Sequence, residues 1–234
     1  MLPPSYPERA GLLARHPGSL LAVAAMTAAF LAPPFVGYEA AWEIAENTEA
    51  VIQHYREPKP AGMLHTRSPE FLAVNPNGHI PSIDDDGLVL HESLAINLYL
   101  ARKHGGPLAP KDIAEEGQMS MWALWAATEI EERALTILYN RVGNPWGTKD
   151  LKAADAAVEA LKAPFSVLDR ALANGFLVGG RFTVADINTA EVVRYALAAP
   201  ELFEAAPKVK AWLAACQARP AFKKMWAARD QEPA

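Results

Sequence analysis

The sequence predicts a small α/β domain followed by an all-helical domain. Three observations predict it. From residue 26 to 105, short strand-forming runs alternate with helix-period segments, the pattern of an α/β domain with a mixed sheet. Past residue 112 every structured segment carries a helical period. Between the two lies "GGPLAPKD" (105–112), where paired glycine and proline interrupt either pattern. The expected organisation is an N-terminal extension over 1–25, an α/β domain over 26–105 and a helical domain over 112–230.

Composition narrows the function. The 234 residues are 51% hydrophobic and 21% charged, enough to bury a core in one large or two small domains. A net charge of −5 and no basic run argue against a nucleic-acid partner. The single cysteine, Cys216, excludes an internal disulfide and a four-cysteine metal site. The six histidines, at 16, 54, 65, 79, 91 and 104, form no H-x-x-x-H pair, so no metal is expected. Nothing in the cysteine usage points to an oxidising compartment.

The elements follow in order. Residues 1–25 carry prolines at 3, 4, 7 and 17 and no clear period, the mark of a tail. The uncharged run 19–36 is too short for a membrane span. Three readings stay open there: a buried strand after a tail, a secretory h-region, or a natural start at Met26. "MTAAFLA" (26–32) forms a short strand, stopped by Pro33-Pro34. Residues 37–50 form a helix with Ala41, Trp42 and Ala45 on one stripe and Glu39, Glu43 and Glu46 opposite. "AVIQHYRE" (50–57) is rich in strand formers, and 58–62 is a loop. A short helix opens at "SPEFLAVNP", with Ser68 as cap and Pro69 at the first helical position.

Then "HIPSID" and "LVLH" form a hairpin across "DDDG", with Gly87 supplying the positive φ. Glu92-Ser93 precedes the helix "LAINLYLARKH", whose Leu94, Leu98 and Ala101 share a face. Gly105-Gly106-Pro107 stop it. In the second half, 115–141 reads as one long helix and 151–174 as another, kinked at Pro164. A third covers 182–197, and 207–227 holds two more, divided near Arg219-Pro220.

The chemistry concentrates in residues 75–93. Pro81 at the start of a strand removes a ladder donor, and Ile80-Pro81 is a site where a cis peptide is feasible. That geometry frees the Ile80 backbone to pair with an extended peptide ligand. Glu92-Ser93 stands one strand on, at a helix N-terminus suited to a carboxylate. The residues alone favour a plainer reading, with Pro81 marking an edge strand and Ser93 serving only as a cap.

The whole pattern resolves more. N-P-x-G-x-I-P-x, a hydrophobic residue, an acidic stretch, then G-x-x-L-x-E-S-x-A-I-x-x-Y-L runs from Asn75 through Leu100. It resembles the glutathione-site half of the cytosolic glutathione transferase family. The resemblance covers about residues 26–227 and implies a thioredoxin-like N-terminal domain followed by the family's all-helical C-terminal domain. It assigns Ile80 and Pro81 to the backbone clamp on the cysteinyl residue of glutathione. It assigns Glu92 and Ser93 to the γ-glutamyl end. His79 and Arg67 fall near basic positions that reach the glycine carboxylate, or they are solvated surface side chains. A homodimer, a cytoplasmic location and glutathione as co-substrate, without a metal, are implied in the same way.

The helical half resembles the family less specifically, through "FLVGGRFTVADI" (176–187) and "PKVKAWLAACQARPAF". There Thr183 reads as an N-cap and Asp186 as the far side of a capping box, so Asp186 is structural. Phe182 and Ile187 form the accompanying hydrophobic staple.

Family members carry a Tyr, Ser or Cys after the first strand that activates the glutathione thiol. Here no Ser, Thr or Cys lies between Ala28 and Asn47, and the one hydroxyl there is Tyr38. Tyr38 is the candidate thiol activator. Backbone N–H groups near 35–38 are the alternative, and Thr27 falls before or inside the strand. Cys216 lies too far along the chain to be the N-terminal thiol. The acceptor site is expected between the domains, against the long helix with Trp122, Trp125 and Arg133, although tryptophans at helical spacing also suit a core. "EIEE" (129–132) reads as a solvated or subunit-facing cluster.

Three functions compete. One is a transferase that adds the glutathione thiolate to a small hydrophobic electrophile. Another is a glutathione-binding or ligand-carrier protein with little turnover. The last is an interaction domain such as those of translation complexes. The intact Ile80-Pro81 and Glu92-Ser93 favour the first two, and the missing Ser/Cys signature keeps the second open.

Overall fold

Among the described residues, a short helix leads into one pair of antiparallel strands, and helices make up nearly all the rest. The computed structural model describes residues 67, 69–79, 81–85, 87–143 and 148–223. The expected elements before residue 67, the Ser68 cap, Ile80 and Tyr38 lie outside these described residues.

The chain divides between Leu100 and Ala101 into two units. In the first, helix α1 spans Pro69–Val74, with Pro69 leading it as expected. Strands β1 (Ser82–Asp85) and β2 (Leu88–His91) follow. Their register pairs Ser82 with His91 and Asp85 with Leu88, which leaves a two-residue turn. Gly87 takes φ 91° in that turn, a conformation costly to any residue with a Cβ.

Helix α2 (Ser93–His104) then begins one residue earlier than its apolar run. Its buried residues are Ile96, Asn97, Leu100 and Ala101, so of the expected Leu94–Leu98–Ala101 stripe Ala101 is buried while Leu94 and Leu98 are half-buried. "LAINLYLA" places apolar side chains on several sides, so periodicity cannot choose among them. Ile96 and Leu100 pack with Ile83, and Leu90 and Tyr99 flank the cluster. The Tyr99 hydroxyl donates to Asp85 Oδ2 at 2.7 Å, tying α2 to the hairpin.

The second unit, Ala101–Ala227, is helical among its described residues. The expected helix over 115–141 is one rod in three parts. Helix α3 (Ile113–Trp125) is capped by Asp112, whose carboxylate accepts from the Glu115 N–H at 2.9 Å. Residues Ala126–Glu131 widen into a π-helix, and α4 (Glu132–Arg141) resumes the α form. The rod turns Met119, Ala126, Ile130, Ala134 and Ile137 fully inward.

Helix α5 (Leu151–Ala171) continues through Pro164 and ends in a short 3₁₀ turn. Asp150 caps it with bonds from the Lys152 and Ala153 N–H groups. Its buried positions 154, 157, 158, 161, 165 and 168 keep helical spacing, and the helix packs against α4 and against the later helices Pro200–Ala205 and Pro207–Gln217. Helix α6 (Val184–Val193) is buried on all sides except at Glu191, and the 182–197 pattern ends in a 3₁₀ segment from Arg194.

Helix α7 (Pro200–Ala205), absent from the sequence expectation, is led by Pro200 at its first turn. Its Phe203 meets Phe165 edge to face, with ring centroids 5.2 Å apart. Helix α8 (Pro207–Gln217) buries Val209, Trp212, Leu213 and Cys216. No described helix is long and apolar enough to cross a membrane.

Candidate functional site

The sequence "NPNG" builds a tight turn directly after α1. Asn at the first position, Pro at the second and Gly at the fourth are the residues such a turn favours. The Gly78 N–H closes it by donating to the Asn75 carbonyl at 2.9 Å. The Asn75 side chain repeats the motif, because its Oδ1 accepts from the Asn77 N–H at 3.1 Å. Arg67 braces the same turn, its Nη1 donating to the Asn77 carbonyl at 3.0 Å.

Hydrogen bonds inside the loop carry this turn to β1. Asn75 Nδ2 donates to the His79 carbonyl at 2.7 Å and to Ser82 Oγ at 3.1 Å. His79 presents an exposed side chain, and Pro81 is half-buried at the start of the strand.

The far end of the hairpin returns to the same place. Ser82 faces His91, so Pro81 and Glu92 are the next residues out at one open end. Glu92 has φ 73° and is the one non-glycine among the described residues with a positive φ. Strained backbone of this kind persists where surroundings enforce it, and it concentrates at functional sites. The Glu92 carbonyl accepts the Ile96 N–H at 2.9 Å, the first bond of α2, and its carboxylate is exposed. Ser93, half-buried, is the first residue of that helix. The opening turn of a helix directs N–H groups outward and carries a partial positive charge.

Pro81, Glu92 and Ser93 are therefore gathered at one end of the hairpin, with His79 on the adjoining loop and Arg67, which precedes α1, reaching that loop through the Asn77 carbonyl. Tyr38 and Ile80 lie outside the described residues. Asn75 and Ser82 were not singled out from sequence. A buried asparagine opening an Asn-Pro turn is the signal that could have found the first. Ser82 carries no sequence signal, because its importance comes from the register that buries it.

In the second unit, Trp122 is 8% exposed and meets the half-buried Trp125 edge to face, centroids 5.1 Å apart. Arg133 donates back to the Glu129 carbonyl at 2.8 Å. Among the described residues, no group of three or more His, Cys, Asp or Glu side chains could hold a metal ion.

Comparison with known proteins gives these geometries a context. Residues 54–108 match the family model "Glutathione S-transferase, N-terminal domain", and 119–220 match "Glutathione S-transferase, C-terminal domain". Glutathione S-transferase 3 of Zea mays is 35% identical over 176 residues, which cover 71% of this chain and 79% of that protein. Glutathione S-transferase GstB of Escherichia coli is 32% identical over 160 residues, covering 67% and 77%. Among solved structures, glutathione S-transferase I from maize in complex with an atrazine–glutathione conjugate superposes with a TM-score of 0.65. That match has 30% identity and covers 75% of this chain and 85% of the other.

Proposed function

Since the chain belongs to the glutathione S-transferase family, we propose that it conjugates the glutathione thiolate to a small hydrophobic electrophile. The observation that carries the reading is the hairpin register, which sets Pro81 beside the strained Glu92 at the start of α2. A thioredoxin-like N-terminal domain followed by a helical domain is the fold on which this chemistry rests.

The proposed roles follow from chemistry. The Glu92 carboxylate pairs with the γ-glutamyl amine, while Ser93 and the first-turn N–H groups of α2 take the γ-glutamyl carboxylate. The Ile80 backbone pairs with the cysteinyl peptide, as an added strand would. Arg67 and His79 face the glycine carboxylate. A free thiol has a pKa of about 8.5, and a hydrogen bond donated to the thiolate lowers it. Tyr38 is the group proposed to donate that bond. The thiolate then attacks an electrophilic carbon, for example one bearing a halide, and displaces it.

The carrier reading rests on one specific observation, the lack of Ser, Thr or Cys between Ala28 and Asn47. We place the protein in the cytoplasm as a homodimer acting in detoxification.

Calorimetric titration with reduced glutathione, repeated on Ser93→Ala, tests the site. Turnover of chlorodinitrobenzene by wild type and Tyr38→Phe tests the chemistry. Binding that weakens by about 1–3 kcal/mol in Ser93→Ala supports the assignment. Binding without turnover selects the carrier. A folded protein that binds no glutathione overturns both.

A further inference from the structure

One buried side chain organises the loop that the proposed site depends on. Asn75 is 1% exposed, as is Ser82. Both N–H bonds of the Asn75 amide are committed, one to the His79 carbonyl and one to Ser82 Oγ. Ser82 closes the triangle by donating to the same His79 carbonyl at 3.5 Å. The orientation of the amide is chemically determined. The Asn77 N–H can only donate, so it must face Oδ1, and the His79 carbonyl can only accept, so it must face Nδ2. No other common side chain of this size offers an acceptor to one side and two donors to the other.

The two acceptors of Nδ2 are the two ends of the span from His79 to Ser82. The same side chain reaches back to the turn that Arg67 braces. Turn, span and strand thus share one buried anchor. Nothing else described reaches the His79 carbonyl.

We infer that Asn75 is a positioning residue for glutathione, its buried amide fixing the His79 carbonyl and Ser82, which flank the proposed backbone clamp. This rests on the reading of the span as the backbone clamp. Asn75 itself touches no substrate.

Asn75→Asp is the sharpest variant. It keeps the volume and the acceptor for the Asn77 N–H, but it turns an acceptor toward the His79 carbonyl. Its dissociation constant for reduced glutathione should rise about tenfold or more, while KM for chlorodinitrobenzene stays within about twofold. Calorimetry separates positioning from mere folding. A structural defect lowers the bound stoichiometry at unchanged affinity, whereas mispositioning lowers affinity at full stoichiometry. Should Asn75→Asp not fold, Ser82→Ala keeps the Asn75 amide and its bond to the His79 carbonyl but removes the acceptor of its other N–H and the hydroxyl's own bond to that carbonyl, and affinity should fall about threefold. An unchanged dissociation constant in a folded variant overturns the role of Asn75. A wild type that binds no glutathione overturns the functional reading instead, so the two failures are distinct.

Discussion

The indole N–H of Trp212 donates to Asp186 Oδ1 at 2.9 Å, tying helix α8 to the first turn of α6. The Leu177 N–H donates to the same oxygen at 3.1 Å. Oδ2 takes the Thr183 N–H at 2.9 Å and the Thr183 hydroxyl at 3.2 Å. The capping box expected from sequence is thus the centre of a larger hub, and Asp186 is 0% exposed. Asp186→Ala should cost roughly 3–5 kcal/mol, because several buried donors lose their acceptor at once. Trp212→Phe removes one donor and leaves the carboxylate still served, so about 1–2 kcal/mol is expected. Urea unfolding reads both. A loss below about 1 kcal/mol in Asp186→Ala would refute the hub. Burial pushes the Asp186 carboxyl above its usual range, and the four donated bonds pull it partly back. A raised folded pKa favours the folded state at low pH and weakens it as pH climbs through that value, so this group does not drive acid unfolding.

Glu115 behaves in the opposite sense. Both terminal nitrogens of Arg181 reach its carboxylate, at 2.8 and 2.7 Å, and the Lys111 N–H adds a bond at 2.9 Å. The bonds from Arg181, then the one from Lys111, hold the carboxyl at about 2 against the usual 4.5. Its stabilising contribution is whole above pH 4.5 and is lost as pH falls toward 2. Arg181 also donates to the Pro107 and Ala109 carbonyls, so the pair pins residues 107–111 to the bend at 178–181. Glu115→Gln cannot titrate. Its urea midpoint should fall less steeply than that of the wild type between pH 4.5 and about 2, and parallel curves would disprove the assignment. Gly179 lies beneath the pair at φ 63°, where an added Cβ would collide with both partners. Gly179→Ala should therefore lower stability at neutral pH by about 1 kcal/mol or more.

These two anchors differ in how far the sequence foretold them. Thr183 and Asp186 stand three apart before an apolar run, a local signal that reads directly as a cap. Glu115 and Arg181 stand 66 residues apart, and no local pattern joins them. The same division runs through the fold. Pro69, the two-residue turn at Gly87 and the spacing of α5 were legible because each is set by neighbours along the chain. The π-helix of Ala126–Glu131 and helix α7 were not, since both depend on what packs against them. In the candidate site, Pro81, Glu92 and Ser93 stood out by type and order. Asn75 had only its Asn-Pro turn to mark it, and Ser82 gained meaning only when the hairpin register buried it within reach of Asn75.

Cys216 offers a clean negative test. It is 1% exposed on α8, and burial first, then the nearby Asp186 charge, pushes its thiol well above the ordinary range. Reactivity requires the thiolate and access to it, and this residue lacks both. A disulfide reagent applied to native protein at pH 8 should label less than a tenth as fast as in urea, on the order expected for a shielded thiol. Equal rates would mean that α8 opens readily. Turnover with glutathione should persist in Cys216→Ala, which separates this thiol from the proposed chemistry.

The backbone of Glu92 yields the last prediction. A side chain at φ 73° costs roughly 1–2 kcal/mol that glycine would not incur. Glycine also loosens the unfolded chain, which offsets about 0.4–1 kcal/mol of that gain. Glu92→Gly should therefore be more stable than Glu92→Ala by roughly 0.5–1 kcal/mol, since alanine keeps the Cβ and the strain. Both variants lack the carboxylate proposed to meet the γ-glutamyl amine, so both should bind glutathione about 1–3 kcal/mol more weakly. Urea midpoints and calorimetry on the same two proteins separate the terms. Equal midpoints would show that φ costs nothing here, and affinity equal to wild type would remove Glu92 from the site. A stabler Glu92→Gly with weakened binding would show that the chain keeps a strained residue at the head of α2 for the carboxylate it presents.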